Sequence, residues 1–152
     1  MHNRREVLGH SARVSLLLAA AGLLPAAARA NYDAKLFDLK TLPEVAKALG
    51  GQAPVESKEV ALTGPDIAEN GAVVPVGVSS TAPGVKKLLV LVEKNPSVVS
   101  ASFDVNEFVD PAFNTRVKMG QSSNVYGVAL LADGRVLYAT KEVKVTLGGC
   151  GG

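Results

Sequence analysis

The chain has one cysteine, Cys150, no tryptophan and two histidines, His2 and His10, among its 152 residues. A single cysteine allows no internal disulfide, so this thiol is either free and reactive or joined to another molecule. Both histidines lie within the first 10 residues, inside what reads as a removable leader. Without them the chain can assemble no Cys/His zinc site, no Ser-His-Asp triad and no Cys-His dyad. Aromatic residues make up only 5% of the sequence, and no apolar run is long enough to span a bilayer comfortably. No periodic repeat is present.

The first 30 residues have the layout of an export signal. Arg4, Arg5 and Arg13 make a basic start, Val14 to Leu24 is apolar, and Ala28-Arg29-Ala30 is an A-x-A cleavage site. The run Asn3-Arg4-Arg5-Glu6-Val7-Leu8 matches a twin-arginine signal, with Asn3 where Ser or Thr is usual. An ordinary secretory signal with adjacent arginines is the alternative. Removal of residues 1–30 leaves 122 residues, takes Lys and Arg from 16 to 12 and takes Asp and Glu from 14 to 13. The net charge changes from +2 to −1, so the basicity belongs to the leader. Neither a nucleic-acid partner nor insertion into a membrane is indicated. The remainder is one domain, large enough to bury a core.

One helix is predicted. Thr41 is its N-cap, Pro43 and Glu44 fall in the first turn, and Leu42, Val45, Ala46 and Leu49 share a face that Gly50-Gly51 ends. Ala34 to Phe37 is a candidate extra turn. The rest reads as strands: Glu56–Leu62, Ala72–Val78, Val85–Val92, Val98–Val105, Thr115–Met119, Val125–Leu131 and Arg135–Leu147. Pro75 predicts an edge or a bulge. The near-continuous apolar run Val85–Val92 predicts a strand covered on both faces. Ala132-Asp133-Gly134 predicts a hairpin. In the last strand Val143, Val145 and Leu147 point one way and Glu142, Lys144 and Thr146 the other. About seven short strands with regular turns predict an all-β, immunoglobulin-like sandwich, although the Cys…Trp…Cys signature of antibody domains is absent.

Several polar clusters are candidates for chemistry. Glu69-Asn70-Gly71 reads as a polar turn into a strand. Asp104, Glu107 and Asp110 are spaced like calcium ligands but lack the glycine and closing glutamate of a calcium loop, so a solvated acidic loop is expected. Lys86-Lys87 opens a strand, with a docking patch as the alternative. Gly120 to Asn124 reads as a polar connection.

The feature that carries most chemistry is the run Leu147-Gly148-Gly149-Cys150-Gly151-Gly152 at the close of the sequence. Glycine gives a slim backbone with no Cβ. Ordering a residue costs about 1–2 kcal/mol, and no apolar side chain after Leu147 offsets it, so a mobile arm is expected. At about 3.3–3.6 Å per residue, Cys150 extends roughly 10 Å beyond Leu147. An ordinary thiol is only a few per cent ionised at neutral pH. No histidine base is at hand, so activation must come from whatever receives the arm. This points to a carrier and away from an autonomous catalyst, with no cofactor of its own.

These residues resemble the Y-subunit family of the sulfur-oxidising (Sox) carrier complex, whose members close on Gly-Gly-Cys-Gly-Gly. The resemblance covers the Arg4-Arg5 signal, Pro65 through Val76, Asn95-Pro96, Ala101-Ser102-Phe103, Thr115 through Met119, and Lys141 through the glycine tail. The departure is Val98-Val99-Ser100, where a less polar segment is usual. The resemblance implies an immunoglobulin-like sandwich paired with a Z-type (SoxZ-type) subunit as a heterodimer. It implies a signal at 1–30, a sandwich at 31–147 and a carrier arm at 148–152. It implies a periplasmic cycle in which a haem-containing enzyme joins thiosulfate to Cys150, a metal-dependent hydrolase releases sulfate, and a sulfane dehydrogenase oxidises the remaining persulfide. Gly148, Gly149, Gly151 and Gly152 then keep the arm narrow.

Two rivals use the same tail differently. A β-grasp sulfur carrier would use a thiocarboxylate on Gly152, which the export signal opposes. An exported binding or structural module would be tethered by an intermolecular disulfide through Cys150. The leader gives the first test. Periplasmic protein should begin at Asn31 on N-terminal sequencing, and replacing Arg4 and Arg5 with Lys should block its export. Protein that still began at Met1 would contradict the leader, and normal export of the variant would favour the general secretory route.

Overall fold

A computed structural model describes residues 3–20 and 34–146. The chain divides into two compact units, residues 1–32 and 33–152. In the first, α1 (Arg4–Ala20) leaves Leu8, Val14, Leu16 and Leu17 exposed. Among the described residues no helix is long and apolar enough to cross a membrane.

The second unit is a sandwich with a helical layer on one side. A 3-10 helix at Ala34–Asp38 and α2 (Leu42–Ala48) come first. The strands are β1 (Val55–Glu56), β2 (Val60–Thr63), β3 (Ile67–Ala68), β4 (Val74–Ser80), β5 (Val85–Val92), β6 (Val99–Asp104), β7 (Ala112–Val117), β8 (Ser123–Leu131) and β9 (Val136–Val145). One sheet runs β1-β9-β8-β5-β6 with β3 also on β9; the other runs β2-β4-β7. The immunoglobulin-like sandwich expected from the sequence is the fold observed.

The double coverage read from Val85–Val92 has a direct cause. Leu88, Leu89, Val90, Leu91 and Val92 are all 0% exposed. Leu88, Val90 and Val92 point into the core between the sheets, where they meet Val74, Val76 and Val78 of β4. Leu89 and Leu91 point the other way, to Leu36, Val45 and Ala46 of the helices. Alternation along a strand sends neighbours to opposite faces, so a strand covered on both sides reads as one apolar run.

The helices are fixed locally as well. Thr41 Oγ1 accepts from the Glu44 N–H at 3.3 Å, and Glu44 Oε2 accepts from the N–H groups of Lys40 at 2.9 Å and Thr41 at 3.2 Å. This reciprocal cap satisfies donors that the first turn leaves free. The Lys40 N–H, foremost, holds the Glu44 carboxyl below its usual range. Gly50, at φ 73°, takes the left-handed conformation that ends the helix.

Among the described residues nine strands replace the expected seven, because residues 55–68 change sheets twice. They pair with β9 at Val55↔Leu137, cross to β4 at Thr63↔Gly77, and return to β9 at Ala68↔Val145. Each crossing resets which face is buried, so the alternation in Glu56–Leu62 is loose and Ile67-Ala68 is too short to show one. Pro75 lies within the central strand of its sheet, but β2 ends opposite Gly77, so at Pro75 only β7 is paired. The Ala132-Asp133-Gly134 hairpin forms as expected, with the Asp133 carboxylate accepting from the Arg135 N–H at 3.0 Å and from Nε at 2.7 Å.

If both faces of β5 carry the fold, Leu88→Ala and Leu91→Ala should each lower the unfolding free energy by about 2–5 kcal/mol, measured by urea denaturation. A solvated outer face would leave Leu91→Ala within about 0.5 kcal/mol of wild type.

Candidate functional site

Cys150 and its flanking glycines Gly148, Gly149, Gly151 and Gly152 lie outside the described residues. The structure instead shows the strand that leads to them, described as far as Thr146. Along β9, Val143 is buried and Val145 packs against the core between the sheets, whereas Glu142, Lys144 and Thr146 are exposed, as the alternation predicts. Leu147 is outside the described residues.

The last residues of β9 are held on both edges. On one side the segment around β3 runs parallel to them. The Lys144 N–H donates to the Asp66 carbonyl at 2.9 Å, and the Thr146 N–H donates to the Ala68 carbonyl at 3.1 Å. The Lys141 ammonium reaches the Asp66 carboxylate at 2.9 Å and the Gly64 carbonyl at 2.7 Å. Asp66 is largely exposed, so this pair adds little stability and mainly sets register. On the other side the Val145 N–H donates to Ser122 Oγ at 2.9 Å. The Thr146 hydroxyl also donates to the Ala68 carbonyl at 3.4 Å.

Gly71 closes the same region from beneath. A Cβ there would stand 2.5 Å from the Met119 carbonyl oxygen and 2.8 Å from Val145 Cγ1. The Met119 N–H donates to the Gly71 carbonyl at 2.7 Å, and Asn70 Oδ1 accepts from the Ala72 N–H at 2.9 Å. Glu69-Asn70-Gly71 is therefore the polar turn the sequence predicts, with a packing role added. The roles of Asp66, Ser122, Lys141 and Thr146 were not legible in the sequence. Asp66 precedes a two-residue strand and Ser122 sits in a connection, so neither has a periodic signal, and Lys141 and Thr146 meet the segment around β3 only once the sheet has formed.

The remaining candidates do not join this region. Asp104 pairs with Lys87 across β5 and β6. Among the described residues no group of three His, Cys, Asp or Glu side chains could hold a metal ion. Lys86-Lys87 opens β5 as read. Residues 120–122 form a connection, and Ser123 and Asn124 already belong to β8.

The family model for sulfur oxidation protein SoxY matches residues 45–150, a span that includes β1 to β9 and runs through Cys150. This chain belongs to the SoxY family. The sulfur carrier protein SoxY from Chlorobium limicola f thiosulfatophilum superposes with a TM-score of 0.61 at 35% identity, covering 68% of this chain and 94% of that one. A variant of the superoxide reductase (neelaredoxin) from Ignicoccus hospitalis has a TM-score of 0.54 at 14% identity, covering 71% of this chain and 100% of that one. That second likeness concerns the fold alone. No curated protein matches. The SoxY match extends beyond the described part of β9, so the family pattern includes the cysteine that the fold leads to.

The clamp on β9 can be tested at Gly71. Gly71→Ala should destabilise the domain by about 1–3 kcal/mol, since backbone lies in the way, and should speed hydrogen exchange at Val145 and Thr146 more than at Leu89. Unchanged exchange at both residues would show that Gly71 does not hold this end.

Proposed function

We propose that this protein is a periplasmic sulfur carrier that holds thiosulfate-derived intermediates on Cys150 and presents them to partner enzymes. The observation that carries the reading is the SoxY family match through Cys150, the chain's single cysteine, set between glycine pairs. The organisation proposed is a leader at 1–30, a sandwich at 31–147 and an arm at 148–152, with no membrane insertion.

The chemistry divides between the arm and its partners. The Cys150 thiolate bonds to the outer sulfur of thiosulfate, and the electron pair released passes to a haem-containing enzyme. A metal-dependent hydrolase then adds water and releases sulfate, leaving a cysteine persulfide. A sulfane dehydrogenase takes electrons from that outer sulfur while water supplies its oxygens, giving a cysteine S-sulfonate, and a second hydrolysis releases sulfate and restores the thiol. The chain itself supplies a nucleophilic sulfur and a route to it, so it is a substrate carrier and not an enzyme. A SoxZ-type subunit is the proposed heterodimer partner.

The fold supports this division. Hydrogen bonds hold β9 through Thr146. A thin arm joined to so firmly held a strand has a fixed origin, which limits where the thiol must be sought. Narrow glycines suit entry into clefts that larger side chains could not follow.

Cys150→Ser should keep the fold and the heterodimer and abolish thiosulfate consumption, because an oxygen cannot form the sulfur–sulfur bond. Gly149→Val should also fold normally but slow turnover by each partner enzyme, since a β-branched side chain stiffens and thickens the arm. The check is thiosulfate-dependent respiration with circular dichroism on each variant. Full respiration by Cys150→Ser would sink the carrier reading.

A further inference from the structure

We propose that a trough on the outer face of the smaller sheet, built by Thr63, Asn114 and Arg116 around Gly77, binds a tetrahedral sulfur oxyanion. The same chemistry has two sources, a free thiosulfate or sulfate ion and the sulfonate group carried on Cys150. Anion binding stands on geometry and charge; the sulfur-bearing occupant rests on the carrier reading.

The helices pack against the outer face of the larger sheet. On the smaller sheet the outward residues include Thr63 of β2, Pro75 of β4, and Asn114 and Arg116 of β7, all exposed. Register sets two rows across this face. Thr63, Gly77 and Asn114 stand side by side in one row, and Pro75 faces Arg116 in the next. β2 ends at Thr63, which opens the second row and leaves a trough of about 390 Å³ that Pro65 also lines. A Cβ on Gly77 would stand 2.5 Å from Thr63 Oγ1 and 2.5 Å from Asn114 Oδ1, so only a glycine lets both side chains lean over the strand.

The charge is one-sided. Arg116 is the single charged residue on β2, β4 and β7. Among the described residues no carboxylate pairs with its guanidinium, and no acidic side chain lines the trough. Asp66, which follows Pro65, is engaged by the Lys141 ammonium at 2.9 Å. A guanidinium keeps its charge and presents paired N–H donors that match two oxygens of one anion. The neutral groups beside it also donate. The Asn114 carboxamide carries two N–H donors. The Thr63 hydroxyl is held only by a long contact of 3.4 Å to the Gly77 carbonyl, which it can exchange for an anion oxygen.

Arg116 also lies near the root of the arm. Three residues on from it, the Met119 N–H donates to the Gly71 carbonyl at 2.7 Å, and a Cβ on Gly71 would stand 2.8 Å from Val145 Cγ1. Arg116 is thus about 10 Å of strand away from the segment beside Val145. Cys150 follows Thr146 by four residues, about 13 Å when extended. The two lengths match, so a sulfonate on Cys150 can fold back to this guanidinium. Held there between deliveries, its negative charge would be paired.

The probes are sodium thiosulfate and sodium sulfate, titrated into the isotope-labelled full chain with Cys150→Ser and followed by amide NMR, with sodium chloride at matched ionic strength as control. Saturable shifts should centre on Thr63, Gly77, Asn114 and Arg116 and be absent with chloride. Arg116→Gln should weaken binding at least about fivefold. Gly77→Ala should weaken it too, by displacing the Thr63 and Asn114 side chains, with the circular dichroism of the fold retained. No saturable shift, an equal response to chloride, or indifference to Arg116→Gln would overturn the site. The wild-type chain sulfonated on Cys150 separates the two sources. Shifts at the same residues without added anion, independent of protein concentration and absent when iodoacetamide caps Cys150, assign the occupant to the arm. No such shift in a chain that still binds free thiosulfate assigns it to the free ion. A SoxZ-type subunit that protects Gly77 from hydrogen exchange and abolishes anion binding would make this face a protein interface and overturn the site. Normal thiosulfate binding by a protein whose Cys150 takes up no sulfur in cells would overturn the carrier reading and leave the anion site standing.

Discussion

The five residues Leu88 to Val92 lose all contact with solvent, and the arrangement of the domain follows from how that is achieved. Each side chain must meet an apolar partner, and strand geometry sends neighbours in opposite directions. One direction requires the β2-β4-β7 sheet and the other requires the helices. Fully burying a leucine or valine is worth about 1.5–3 kcal/mol, so this strand alone explains why two layers close on the larger sheet. β8 pairs with β5 and β9 pairs with β8, so the same burial fixes the path of β9.

The end of β9 is the functional consequence. Residues 64–71 return from the second sheet to run beside it, and Ser122 bonds to it from the other edge. The hydrogen bonds involved are individually modest, at about 0.5–1.5 kcal/mol each. Their value is in position: they hold the strand in register almost to the proposed arm. In the carrier reading the domain contributes a fixed origin, and the partners contribute the reactions. A docked partner then searches a short radius for the thiol.

Much of this could be read from residue order. Burial on both faces was legible in Val85–Val92 because a covered strand needs no polar positions. The helix was legible from Thr41, Pro43 and Glu44, and the last hairpin from Asp133-Gly134. The strand count was not, because residues 55–68 divide themselves between two sheets and no face stays buried long enough to leave a period. Cys150, the attachment site proposed here, stands out in the sequence as a single cysteine between glycine pairs. The clamp was hidden, since Asp66 and Ser122 act through backbone groups and a connection.

The central claim is that sulfur chemistry takes place on Cys150. The most direct measurement is mass spectrometry of the protein recovered from cells oxidising thiosulfate, with the adduct mapped by peptide fragmentation. The account predicts reducible sulfur and sulfonate additions confined to Cys150, lost when thiosulfate is withdrawn. A modification on Gly152, or a Cys150 found only in a stable disulfide with another protein, would contradict it.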